Sequence, residues 1–81
     1  MRHFVKINHE GKKVNFRDVQ VEYYSACDVQ EDTPAIEISF NILSKNTAFA
    51  FELGIELHQK NGEMWFTLPI TSLCWMSEEQ Q

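Results

Sequence analysis

Eighty-one residues, 43% of them hydrophobic and ten aromatic, suffice for one domain with one core. A chain this short buries only about 60% of its unfolded surface, so the stability margin is thin. No run approaches the roughly 20 apolar residues of a membrane helix, and the three glycines are too scattered for a phosphate-binding loop.

The net charge of −5 is unevenly spread. Residues 1–17 carry five bases against Glu10 alone, +4 in sum. Residues 18–81 carry eleven acids against Lys45 and Lys60, −9 in sum. This is one basic hairpin on an acidic body. It points to a protein partner with a basic surface, or to head-to-tail self-association, rather than to direct nucleic-acid binding. The start, Met1-Arg2-His3-Phe4-Val5-Lys6, meets charge too early for a signal peptide. A cytoplasmic setting follows, with Cys27 and Cys74 as reduced thiols outside any Cys-x-x-Cys pair.

The first predicted strand covers residues 2–8, where Val5 and Ile7 alternate with Phe4 and Lys6. A turn at Glu10-Gly11 sets Ile7 opposite Val14 and Val5 opposite Phe16. The second strand covers 13–26. Its apolar phase changes from even (Val14, Phe16) to odd (Val19, Val21, Tyr23). One extra residue near 17–18, a β-bulge, restores the facing. Cys27 then lies on the inward parity. Asp28–Pro34 reads as a polar loop.

A third strand, 35–43, places Ile36, Ile38, Phe40 and Ile42 on one face. The clearest alternation is in 48–58, where Phe49, Phe51, Leu53, Ile55 and Leu57 interleave with Ala48, Ala50, Glu52, Gly54 and Glu56. A fifth strand, 63–71, carries Met64, Phe66, Leu68 and Ile70. The Asn61-Gly62 turn pairs Lys60 with Glu63 and then sets Leu57 opposite Phe66, so that apolar meets apolar throughout. Gly54 falls opposite Pro69, an edge position. Thr71 or Ser72 caps a short helical turn carrying Leu73 and Met76, and 77–81 frays.

The expected fold is all-β: a single domain over 1–81, a five-stranded antiparallel meander centred on 48–58. With no long helix to cover its apolar face, the sheet curls into a small barrel or a two-layer sandwich.

Chemistry is hard to find. His3 and His9 sit roughly 20 Å apart on one strand, too far to share a metal. Glu52 and Glu56 stand roughly 13 Å apart, too far for a pair of glycosidase carboxylates. No catalytic residue, metal site or cofactor is expected. The partner-binding candidates lie on the outer face of the sheet: Glu52, Glu56, His58, Trp65, Tyr24, Glu22 and Glu37. Exposed Trp and Tyr are frequent interface anchors. The acids beside Trp65 argue against a nucleic acid there. The reading is a non-catalytic protein-binding module acting by stoichiometric contact. One form is a phage or mobile-element inhibitor occluding a basic surface of a host defence protein. A self-associating structural protein and a small enzyme are the alternatives.

Overall fold

Strand β1 (His3–His9) and strand β2 (Lys12–Tyr24) form the first hairpin of the computed structural model, which describes residues 2–78. Ile7 lies opposite Val14 and Val5 opposite Phe16, as the alternation predicts, and all four are buried. Glu10 and Gly11 both have positive φ, 53° and 82°, as the two-residue turn requires.

The predicted bulge is present. His3 pairs with Val19 and Val5 with Phe16, so β2 contributes one extra residue between them. Asp18 takes the strained role at φ 60°, and its carboxylate meets the Arg2 guanidinium at 3.1 Å. Beyond the bulge, β2 leaves β1 and pairs with β3 (Ala35–Asn41), setting Val21 opposite Ile38. One long strand therefore belongs to two ladders. It ends at Tyr24, two residues short of the expected 26. Ser25 there caps a short helix α1 (Ala26–Val29), with Asp28 completing the capping box. That helix leaves Cys27 exposed rather than inward.

The largest departure is in the segment 48–58. It is not a strand. Residues Asn46–Glu52 form helix α2, which ends at Gly54 with φ 66°, where a left-handed residue is needed. Only His58–Lys60 is extended, as the short strand β4. Asn46, Ala50 and Leu53 repeat at helical spacing and are all buried. Phe51, predicted inside, is 64% exposed. Gly54 thus closes a helix and does not face Pro69.

The partner of β3 is instead β5 (Glu63–Pro69), which sets Ile36 against Leu68, Ile38 against Phe66 and Phe40 against Met64. The Asn61-Gly62 turn does pair Lys60 with Glu63, but β4 reaches back only to His58 opposite Trp65. Pro69 pairs with Ala35 beyond the reach of β4, so its missing N–H faces an open edge.

Two physical facts favour the helix. Alanines at 48 and 50 suit helix better than strand. The bulge also leaves backbone groups of Arg17 without ladder partners, and Asn46 supplies them. Its Nδ2 donates to the Arg17 carbonyl at 2.6 Å, and its Oδ1 accepts from the Arg17 N–H at 3.4 Å. Asn46 is itself 4% exposed, so this clamp fixes α2 against the bend of β2.

After β5 comes a 3-10 turn, Ile70–Ser72, near the expected helical turn. Residues Leu73–Glu78 are not helical, however. They form β6 beside β1, with Ile7 opposite Leu73 and Val5 opposite Met76. Cys74 is the extra residue of a second register shift. Leu73 and Met76 reach the core side because that shift reproduces a spacing of three. Pairing also satisfies the backbone of β1 that the predicted helix would have left open. The expected fraying of 77–81 does not hold for Ser77 and Glu78, and 79–81 lie outside the described residues.

The sheet is all antiparallel, with six strands rather than five, in the order β4-β5-β3-β2-β1-β6. It is open, because β4 and β6 end that order. Its apolar face carries Phe16, Phe40 and Phe66, with ring centroids 5.4–6.4 Å apart. Ala50 and Leu53 of α2 join the same core. Among the described residues, no helix is long and apolar enough to cross a membrane.

Candidate functional site

The side of β2, β3, β5 and β4 turned away from the core forms one continuous face. Strand pairing sets its rows. Glu22, Glu37 and Thr67 stand abreast, and the next row holds Gln20, Ser39, Trp65 and His58. Rows lie roughly 7 Å apart along a strand. Five predicted partner residues are thus brought together: Glu22, Glu37, Tyr24, Trp65 and His58.

Glu52 and Glu56 are not among them. Glu52 closes α2, which packs on the opposite, apolar side of the sheet through Ala50 and Leu53. Glu56 lies in the irregular link before β4. Their assignment depended on the strand 48–58, and they leave the site with it.

Within the face, Glu22 and Glu37 sit directly opposite each other across β2 and β3. Like charges in that position repel. The Tyr24 hydroxyl lies 2.8 Å from Glu22 Oε2 and 3.3 Å from Glu37 Oε2. It has one proton to donate between them. Neither carboxylate has an ion-pair partner among the described residues. The hydrogen bond to Glu22, aided by desolvation and by the charges of Glu37 and Glu22, pushes the Tyr24 phenol up from 10.0 to about 12.

The sign of the linkage follows from that shift. The folded state favours the neutral phenol, so this contribution is whole below pH 10 and is lost as pH rises through about 12. In the double variant Glu22→Gln with Glu37→Gln, Tyr24 should titrate nearer 10 by ultraviolet absorbance, with Tyr24→Phe assigning the transition. An unchanged titration would show that the carboxylates do not hold the proton.

Beside Thr67, the end of β5 and the 29–33 loop enclose an open groove of about 640 Å³. Glu31 and Asp32 stand on its rim and extend the negative field. In the sequence they belong to a plain polar loop, and the acids clustered at 28, 31 and 32 are the only signal of the rim. On the next row, Trp65 stacks on His58, with centroids 5.6 Å apart and planes 20° from parallel.

Among the described residues, no group of three His, Cys, Asp or Glu side chains is placed to hold a metal. Cys27 and Cys74 are both exposed.

The other half of the sheet, β2, β1 and β6, has a different outer face. Trp75, Lys6 and Asn15 form one row, Phe4 and Ser77 the next, and Asn8 and Lys13 a third. Phe4 meets Trp75 edge to face at 5.1 Å, and the Arg17 guanidinium lies 4.6 Å from the Phe4 centroid. Phe4 turns away from the core, as its alternation with buried Val5 and Ile7 implies. Trp75, assigned to a terminal turn by sequence, lies on this face and is 51% exposed.

No protein-family model matches the chain, and comparison with curated proteins and with solved structures returned no match.

Proposed function

We propose that this chain is a non-catalytic protein-binding module that docks a basic surface through the face of Glu22, Glu37, Tyr24, Trp65 and His58. The observation that carries the reading is the facing pair of carboxylates with one tyrosine proton and no cation between them. An arginine or lysine from a partner relieves their repulsion and makes charge-assisted hydrogen bonds to both. The Trp65–His58 stack supplies a rigid apolar anchor beside the charge. Contact of this kind is stoichiometric. It suits a cytoplasmic inhibitor or adaptor, including a phage-borne inhibitor that covers the basic surface of a host protein.

An arginine-rich peptide is the direct probe. It should bind the wild-type protein with an affinity that falls as salt rises. Glu22→Lys with Glu37→Lys should weaken binding at least tenfold, whereas Glu52→Lys with Glu56→Lys should change it about twofold or less. Equal losses from the two double variants would sink the assignment to this face.

A second reading is self-association, favoured by β6, which ends the sheet with an open edge and carries no Lys or Pro. Sedimentation of a monomer at high concentration would remove it.

A further inference from the structure

The outer face of β2, β1 and β6 reverses the chemistry of the acidic face. Its outward positions in β1 are Phe4, Lys6 and Asn8, and in β2 they are Lys13, Asn15 and Arg17. Trp75 and Ser77 complete it from β6. That is three bases, two aromatic rings, two amides and a hydroxyl; the carboxylate next along β2, Asp18 at the bulge, is ion-paired to Arg2. We propose that this face binds single-stranded nucleic acid.

Three observations point to that occupant. First, the charge is spread rather than paired. Lys6, Lys13 and Arg17 occupy different rows of the face, which matches a chain of repeating phosphates better than a single carboxylate. Second, aromatic rings lie between the cations. Lys6 stands directly beside Trp75 in the same row. Phe4 is held between Trp75 and the Arg17 guanidinium, which fixes both of its neighbours. A half-exposed indole and a flat guanidinium both accept a stacked base, and stacking tolerates any sequence. Third, β1 is paired on both sides, so its backbone is fully used and contact runs through side chains alone. Asn15 and Ser77 add neutral hydrogen-bonding groups for base edges or phosphate oxygens, whereas Asn8 Oδ1 is buried.

A second copy of this chain is the competing occupant, through its acidic face. Its facing carboxylates, Glu22 and Glu37, stand side by side on one row and share one tyrosine proton. That arrangement matches one cation, not three spread over separate rows. Of the acids counted against nucleic acid beside Trp65, Glu52 closes α2 on the apolar side of the sheet and Glu56 lies in the link before β4, so neither is on this face.

The test is the fluorescence anisotropy of a labelled short oligothymidylate, titrated with the full chain at several salt concentrations. Binding should weaken with salt along a log–log slope of about −2, for three cations at roughly −0.7 each. Lys6→Gln with Lys13→Gln should flatten that slope by about 1.4 and cost roughly tenfold in affinity near 50 mM salt. Trp75→Ala should cost about tenfold, and Trp75→Phe, which keeps a ring against Phe4, should recover most of it. Glu22→Gln with Glu37→Gln should leave the oligonucleotide affinity equal or higher, which separates this face from the acidic one. Circular dichroism shows which variants are folded. Absence of binding at low salt would overturn the proposal. So would polyglutamate binding as tightly as the oligonucleotide, or a self-assembly that requires both Lys6 and Glu22.

Discussion

Phe66→Ala should cost about 3–5 kcal/mol and leave the protein largely unfolded at 37 °C. Phe66 is 0% exposed on β5, opposite Ile38 of β3. Its ring touches Phe16 from β2 and Phe40 from β3, with centroids 5.4 and 6.4 Å away. Truncation removes the transfer energy of the ring and leaves a cavity beside Phe16 of β2 and Phe40 of β3. A chain of this size has a total stability of about 4–12 kcal/mol, so one such loss consumes much of it. Chemical denaturation followed by circular dichroism measures the change. A loss below about 1.5 kcal/mol would mean that Phe66 is not at the centre of the core.

Asn46→Ala is expected to cost about 2–4 kcal/mol, an unusually large effect for a residue that contributes no apolar area. The substitution strands the N–H and the C=O of Arg17 at the bulge, where no strand pairs with them. It also frees α2 from the bend of β2. Asn46→Asp sharpens the test. Its ionised carboxylate still accepts from the Arg17 N–H but repels the Arg17 carbonyl. That repulsion is present above the carboxyl pKa and is relieved as pH falls through it, because the protonated acid can donate to the carbonyl. Relative to wild type at each pH, Asn46→Asp should therefore recover part of its loss under acid conditions. Phe51→Ser, on the exposed side of the same helix, should shift stability by about 0.5 kcal/mol or less. If Asn46→Ala proved as mild as Phe51→Ser, the clamp would have no energetic meaning.

These two residues also mark where the sequence is readable. The pattern around Phe66 is unambiguous: Met64, Phe66 and Leu68 fit a strand and little else, and all three are buried. The two-residue turns and the bulge near 17–18 are legible for a similar reason. A change of apolar phase within one strand needs an inserted residue, or the apolar side chains would fall on the solvent face. Residues 48–58 are not legible, because two periodicities overlap there. Phe49, Phe51, Leu53, Ile55 and Leu57 alternate by two, while Asn46, Ala50, Leu53 and Leu57 recur at 4, 3 and 4. Local pattern favours the first. Tertiary structure selects the second, because β5 takes the edge of β3 and the bulge needs Asn46. Leu73 and Met76 repeat the lesson in reverse, since a helical spacing of three proves to be a strand with a register shift at Cys74.

The candidate site inherits this division. Parity finds Tyr24, Glu22, Glu37, Trp65 and His58, because the elements that hold them really are strands. Glu52 and Glu56 follow from the mistaken strand and belong elsewhere. Trp75 escapes a sequence reading because its strand looks like a turn, and the basic, aromatic face escapes with it. The charge split between residues 1–17 and the rest is already visible in the sequence. The fold turns it into two outer faces of opposite sign on one sheet.

The most direct test of the central claim is to titrate isotopically labelled protein with the arginine-rich peptide and follow its amide and indole resonances. Docking on the acidic face predicts the largest shifts at Glu22, Glu37 and Tyr24 and at the Trp65 indole, with little change at Glu52 or Glu56. Shifts centred on α2 and Glu56, with Trp65 silent, would contradict it.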